Sequence, residues 1–389
     1  MHYFDHCAST PPHEEVIRTM AEIMAKHYAN PSSLHRGGQE ARNLLERART
    51  VIAGSFAGTD AGDWIFTSGG TESNNMAIIG AARSMIRKGK HLITSAVEHP
   101  SVYDTCKQLE REGWSVTYLP ASEAGLVTAA DVESALTGET SLVSIMHVNN
   151  EVGSVMPIAD IGAMLKRHGN IAFHVDGVQS VGKMPVDLAG SRIDLFSASA
   201  HKVGGPRGVG LLYIRPGLQL ASVYSGGGQE RDLRPGTENV PAIVAAAKAF
   251  RLAVEGQPAR AQRMHALRQR LLACVAGMPE LAINGSADGE IGGQAAPNIV
   301  NFSYPGMKPE VIVHMLDKHG ILASTKSACS SKSDEPSRVL LAMGLSRERA
   351  SSGIRISFGD EHGDTEIDWL CATLKKVVQQ LKPLERKEG

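Results

Sequence analysis

Ile171-Ala172-Phe173-His174-Val175-Asp176-Gly177-Val178-Gln179-Ser180 is the stretch that decides the fold. Residues 171–175 are apolar nearly throughout, as in a strand covered on both faces. Asp176 and Gly177 then end the run. Similar short runs recur at 64–67, 92–95, 116–119, 142–147, 194–198 and 210–214. Helical stretches separate most of them, and Ala41, Leu44, Leu45, Ala48, Val51, Ile52 and Phe56 share one helical face. The pattern predicts an α/β fold with a doubly wound, mostly parallel sheet and helices on both faces. Only a short glycine-rich turn joins the last two runs, so one of them is expected to be antiparallel to its neighbours.

Outside this region, 240–277 reads as long helices. Strands are expected at 297–304, 321–325 and 354–358, and helices at 309–319 and about 364–382. Residues 326–335 have a loop composition. This half predicts a smaller α+β unit. The chain has 389 residues, ample for two domains with a large core. No internal repeat and no low-complexity tract interrupts it.

Lys and Arg number 40 against 41 Asp and Glu, a net charge of −1. That balance gives no electrostatic reason to expect direct nucleic-acid or membrane binding. Five cysteines, Cys7, Cys106, Cys274, Cys329 and Cys371, stand far apart. An odd number without a Cys-x-x-Cys pair argues against a disulfide framework or a zinc ribbon, and no metal ligand set is read here. The first residues show no signal pattern, and no apolar run reaches the ~18 residues a membrane span needs. A reducing cytoplasm is the expected compartment.

Several segments carry candidate chemistry at strand ends, where open α/β sheets bind ligands. In Thr67-Ser68-Gly69-Gly70-Thr71-Glu72-Ser73-Asn74, the glycines let a helix N-terminus approach an anion and Thr71 adds a hydroxyl. The competing reading is Thr71 as a helix cap, with Ser73 and Asn74 idle. Asp176 can pair with a protonated ring nitrogen and Gln179 with a ring hydroxyl; alternatively, Asp176 caps a helix. Lys202 follows an apolar strand and precedes Gly204, Gly205 and Gly208. Desolvation and a neighbouring positive charge there would free its amine for Schiff-base formation, although most lysines are solvated surface residues. Ser199 and His201 flank it within reach of a phosphate. His99 can stack on an aromatic ring, move protons, or simply cap a turn. Asn150 sits beyond another strand end. Cys329, among small and polar residues with Lys326 and Lys332 nearby, fits an exposed thiolate. Cys106, Cys274 and Cys371 fit small buried hydrophobes. Arg355 lies inside a β-rich run and needs a partner, either a substrate carboxylate or a structural acid.

Taken together, these residues resemble the cysteine desulfurases, pyridoxal-phosphate enzymes of the fold-type-I, aspartate aminotransferase-like class. The likeness runs from Phe4-Asp5 to Ser357-Phe358-Gly359. It is closest in 66–74, in Met146-His147-Val148-Asn149-Asn150-Glu151-Val152-Gly153, in Val175-Asp176-Gly177-Val178-Gln179-Ser180 and in Arg234-Pro235-Gly236-Thr237. The resemblance implies a large domain over 16–255 with a seven-stranded sheet. A small domain would be built from 1–15 and 256–389 and carry a mobile cysteine loop. It implies that Lys202 holds pyridoxal 5'-phosphate as a Schiff base and, as the freed amine, removes the α-proton of L-cysteine. Asp176 would pair with the pyridine nitrogen, Gln179 with the ring hydroxyl, and His99 would stack on the ring. Gly70, Thr71, Ser199 and His201 would hold the phosphate, with Thr237 reaching that of the other subunit of a homodimer. Asn150 and Arg355 would hold the substrate carboxylate. Cys329 would take the sulfur as a persulfide, leaving L-alanine.

The acceptor implied is a cluster scaffold for iron-sulfur assembly or a tRNA sulfurtransferase. Lys326 departs from the family run, where a glycine commonly stands, and it points toward the latter sub-branch. Cys7 is expected close to the site. A plain class V aminotransferase, a selenocysteine lyase, another C–S lyase and a non-catalytic sulfur-relay protein are the alternatives. The first has no need of Cys329 on a polar loop. The last has no need of Lys202, Asp176 and Cys329 together.

Overall fold

A computed structural model describes residues 1–287, 295–325 and 335–384. The larger sheet has seven strands. Their order is Trp64–Thr67, Gly210–Ile214, Leu195–Ser199, Ala172–Asp176, Thr140–Met146, His91–Ser95 and Ser115–Leu119. From Leu195–Ser199 to Ser115–Leu119 every pairing is parallel. Gly210–Ile214 runs antiparallel to both its neighbours. It is the strand that the short glycine-rich turn forces to reverse, because a parallel partner needs a crossover. Six of the strands are buried along their whole length; the edge strand Ser115–Leu119 is partly exposed, as an edge must be.

Helices cover both faces. Arg36–Ser55 buries Ala41, Leu45, Ala48 and Ile52 and packs against Val240–Glu255. Gly70–Ser84 and Pro100–Arg111 pack on each other. They share a second apolar cluster with Ile65, Leu92, Leu142, Leu195 and Leu212. The register pairs Met146 with Asp176 and Asp176 with Ser197, so the parallel strands end along one rim. The turns that follow carry His99, Asn150, Gln179 and Lys202 to the same side of the sheet.

The second sheet is antiparallel, in the order Gly353–Ser357, Ile299–Ser303, Ala282–Asn284. Gln257–Ala276, Pro309–Lys318 and Asp364–Leu381 pack around it. The helical stretch expected over 240–277 is two helices meeting at Gly256, with a proline in the first turn of the second. Phe4 lies in this smaller core with Leu271, Phe302, Ile354, Phe358 and Leu374. The chain start is tied down there: His2–Tyr3 pairs parallel with Ile321–Leu322, and Asp5 bridges Ser357.

Two cysteine readings change. Cys106 is fully buried, but Cys274 and Cys371 are only partly buried and their thiols hydrogen-bond to each other between two packed helices. Among the described residues, no helix is long and apolar enough to cross a membrane.

Candidate functional site

A cavity of about 270 Å³ opens at the rim where the parallel strands end. Gly70, Thr71, His99, Asn150, Asp176, Gln179, Ser199, His201, Lys202 and Arg355 all line it. Two sequence-derived candidates are not part of that wall. Thr237 is exposed and does not line the cavity. Cys329, with Lys326 and Lys332, lies outside the described residues.

Asp176 is a buried carboxylate that ends its strand. Its Oδ1 accepts the Val178 backbone N–H at 3.0 Å and its Oδ2 accepts Asn74 Nδ2 at 2.8 Å. Burial raises its pKa, while these two donors and the charge of Lys202 pull the other way without cancelling the rise. A cation set against Asp176 would complete what the donors begin. No helix follows Asp176, so it is not a helix cap. Asn74, idle only in the reading that makes Thr71 the cap, also donates to Ser101 Oγ at 2.9 Å, and that hydroxyl meets His99 Nδ1 at 2.8 Å. His99 does cap the Pro100–Arg111 helix, accepting the Ser101 N–H, and still faces the cavity. Burial, with Lys202 and Arg338 nearby, pushes it down to about 4, so it is neutral at pH 7. A neutral ring can lie against an aromatic cofactor without adding charge.

Lys202 sits in the single turn Ala200–Lys202 after its strand. Its Nζ donates to the carbonyls of Cys7 and, at 2.9 Å, Ala8. Cys7 thus lies at the site, as expected. The Lys202 carbonyl accepts Lys183 Nζ at 2.6 Å. Burial pushes Lys183 down to about 8. Gly204 has φ +73°, and a Cβ there would lie 2.5 Å from the His13 ring, so the turn after Lys202 requires glycine.

The opposite end suits an anion. The Gly70–Ser84 helix begins here with Gly69 in the cap position and no side-chain cap, so Thr71 is not the cap. A Cβ on Gly70 would lie 2.6 Å from Val178 Cγ2, so only glycine allows this approach. Ser199 and His201 complete the cradle. Burial and the cations Lys202, Arg207 and Lys183 push His201 down to about 4. Glu72, beside the cradle, is neutralised by Arg234 at 2.9 Å. On the remaining side, Arg355 is 1% exposed and donates to Asn150 O and Asp5 Oδ1, at 2.9 and 2.8 Å. A structural acid therefore does hold this arginine. Its Nε and the Asn150 Oδ1 are buried without a partner among the described residues.

These features fit pyridoxal phosphate. Asp176 and Gln179 would meet the ring's polar edge and His99 its face, while Lys202 would meet the aldehyde. The Gly70–Thr71 helix start with Ser199 and His201 would meet the phosphate. The unpartnered Arg355 Nε and Asn150 Oδ1 leave polar capacity for a substrate beside it.

Comparison with known proteins shows the family. Residues 2–370 match the Aminotransferase class-V family. Cysteine desulfurase IscS of Clostridium botulinum strain Hall is 40% identical over 383 residues, spanning 98% of this chain and 95% of the relative. Among solved structures, a NifS-like protein superposes with a TM-score of 0.88 at 35% identity, covering 98% of this chain and 99% of its own. SspA in complex with cysteine superposes with a TM-score of 0.79 at 37% identity, covering 92% and 99%. The chain belongs to the class-V aminotransferase family, among its cysteine desulfurases.

Proposed function

We propose that this chain takes sulfur from L-cysteine, releases L-alanine and passes the sulfur to an acceptor by way of a persulfide on Cys329. The observation that carries this reading is the convergence of the Lys202 amine, the buried Asp176 carboxylate and the Arg355 guanidinium on one cavity. The cysteine held by the related SspA structure supports the choice of substrate. Bound pyridoxal phosphate supplies an electron sink for the substrate α-carbon. Asp176 keeps the ring nitrogen charged, Gln179 fixes the ring hydroxyl and His99 packs on the ring face. Gly70, Thr71, Ser199 and His201 hold the phosphate, and Thr237 does so across a homodimer. Arg355 and Asn150 orient the substrate carboxylate.

Lys202 would hold the cofactor at rest, and as a free amine it would move the α-proton. The Cys329 thiolate then bonds to the substrate sulfur. The C–S bond breaks with its electron pair on carbon, and protonation there completes alanine. The same reading takes 16–255 as the cofactor domain, and 1–15 with 256–389 as the smaller one. It places the enzyme in the cytoplasm and gives the sulfur to a cluster scaffold or a tRNA sulfurtransferase.

Incubation with L-cysteine followed by intact-mass mapping should find added sulfur on Cys329. Cys329→Ala should abolish sulfide release while leaving the cofactor absorbance intact. Unchanged turnover in that variant would sink the proposal. A pull-down with residues 326–335 intact and altered identifies the acceptor.

A further inference from the structure

Lys183 carries a buried amine that the sulfur chemistry does not use. It is 6% exposed, and its Nζ donates to the backbone carbonyl of Lys202 at 2.6 Å. Thr10 Oγ1 donates to the same carbonyl at 3.3 Å. A second lysine is therefore seated directly behind the one that would hold the cofactor. Burying an ammonium costs free energy unless an acid pairs with it.

The seat is built, not incidental. Lys183 follows Gln179 in the same set of turns, and its N–H bonds to the Ser180 carbonyl at 3.0 Å. Its own carbonyl accepts Gln257 Nε2 at 3.2 Å, and the Gly182 carbonyl accepts Arg260 Nη1 at 3.0 Å. Gly182 has φ +74°, and a Cβ there would lie 2.8 Å from Ala253 Cβ. Only glycine lets this turn pass so close to the Val240–Glu255 helix. The amine borders a cavity of about 430 Å³ on the far side of Lys202, and Lys183 does not line the cofactor cavity.

Among the described residues, no acid is left over to pair with this amine. Asp360, in the same wall, is held by Arg260 at 2.8 Å and Arg263 at 3.0 Å, and Glu361 is held by His6 at 2.7 Å. His13 is the other titratable group of that wall. Burial brings the Lys183 pKa down to about 8; Lys202 and Arg260 push the same way, and Cys7 and Asp360 oppose them. The amine therefore keeps its proton at pH 7. After burial, Lys202 and Arg207, the same charge helps to hold His201 down.

We infer that Lys183 is a positioning residue for Lys202: it grips that residue's carbonyl from behind and places a fixed positive charge near the amine that meets the cofactor. The inference rests on the role of Lys202 proposed above. An extended lysine puts its amine roughly 8 Å from its own carbonyl, so the two nitrogens lie about 11 Å apart at most. One positive charge at that range, in an effective dielectric of about 20, disfavours a second by about one pKa unit. A proton on the Lys202 nitrogen is disfavoured by that much, and the free amine needed to take the α-proton is favoured. Lys183 is thus the neighbouring positive charge that the chemistry of Lys202 calls for.

The test follows, in the holoenzyme, the pH at which the absorbance of the bound cofactor changes. Lys183→Gln keeps a donor but not the charge, and Lys183→Met keeps neither. Both should move that transition up by about one pH unit. Lys183→Met should also bind pyridoxal phosphate roughly 3–10-fold more weakly, the loss of one hydrogen bond. Thr10→Val removes a neutral bond to the same carbonyl and should leave the transition where it is. A transition unmoved in whichever Lys183 variant retains the cofactor, or moved as far in Thr10→Val, would overturn the inference. Sulfur mapping on Cys329 judges the desulfurase reading separately: if it finds none while the absorbance shifts as expected, that reading fails and this inference stands.

Discussion

Asn74 Nδ2 donates to Asp176 Oδ2 at 2.8 Å, and the same nitrogen donates to Ser101 Oγ, on which the His99 ring rests. One amide thus supports both the carboxylate and the imidazole that face the cavity. Removing a hydrogen bond to a charged group costs about 1.5–3 kcal/mol, or roughly one to two pKa units. Asn74→Ala should therefore raise the Asp176 pKa further. Less of the carboxylate would be ionised at a given pH, the acid limb of the activity profile should move up by about one unit, and pyridoxal phosphate should bind more weakly. Turnover against pH and cofactor titration of the apoenzyme check both outcomes.

Arg355 is held at one end by Asp5 and at another by the Asn150 carbonyl, which fixes the plane of its fork. Lysine keeps the charge but not the fork. Arg355→Lys should raise KM for L-cysteine by about 10–100-fold, the loss expected of one charge-assisted bond. The change in kcat should be smaller. Asp5→Asn leaves the guanidinium in place without its anchor, so the rise in KM should be in the same direction and less. Steady-state kinetics on the two variants and the double variant separate binding from positioning.

The strand ends were legible because a doubly wound sheet obeys local rules. Apolar runs mark the strands, a glycine-rich turn marks the reversal at Gly210–Ile214, and ligand groups gather where the parallel strands stop. Asp176, Lys202 and Gly70 could be found that way, since each ends or follows its own strand. The supports could not. Lys202 reaches the carbonyls of Cys7 and Ala8, and Arg355 reaches Asp5, across almost the whole chain. No periodicity links residues that meet only after two sheets have packed. His6 with Glu361 is the same case. Asn74 was missed for another reason. Within a helix start its type suggests local capping, and only the crossing of Gly70–Ser84 behind Ala172–Asp176 turns it toward a carboxylate.

Arg49 and Glu230 form a buried ion pair, joined at 2.7 and 3.0 Å, and Glu230 also accepts the Phe66 N–H at 2.7 Å. Burial pushes the Arg49 pKa down, but Glu230 reverses the effect and holds it above its ordinary value. Glu230→Ala would strand a charge and a strand N–H. Removing one partner of a buried pair costs about 3–5 kcal/mol. A drop of that size in the urea unfolding free energy is expected, whereas Arg36→Ala, whose pair with Glu40 is exposed, should change it by less than about 1 kcal/mol.

His174 is fully buried in the central strand, between Ser144 Oγ at 2.8 Å and Ser197 Oγ at 3.1 Å. Burial pushes its pKa down to about 3, against about 6.5 in the unfolded chain. Above pH 6.5 the ring is neutral in both states, and the folded form bears no penalty. Between pH 6.5 and about 3 the unfolded chain binds a proton that the folded one refuses, so stability falls as the pH falls. The slope for one group is about 1.4 kcal/mol per pH unit. His174→Gln keeps a side chain able to bond both serines and removes the titration. From pH 6.5 to 5, wild type should lose about 2 kcal/mol more than this variant. Equal losses in parallel urea titrations would mean that another buried group carries the acid sensitivity.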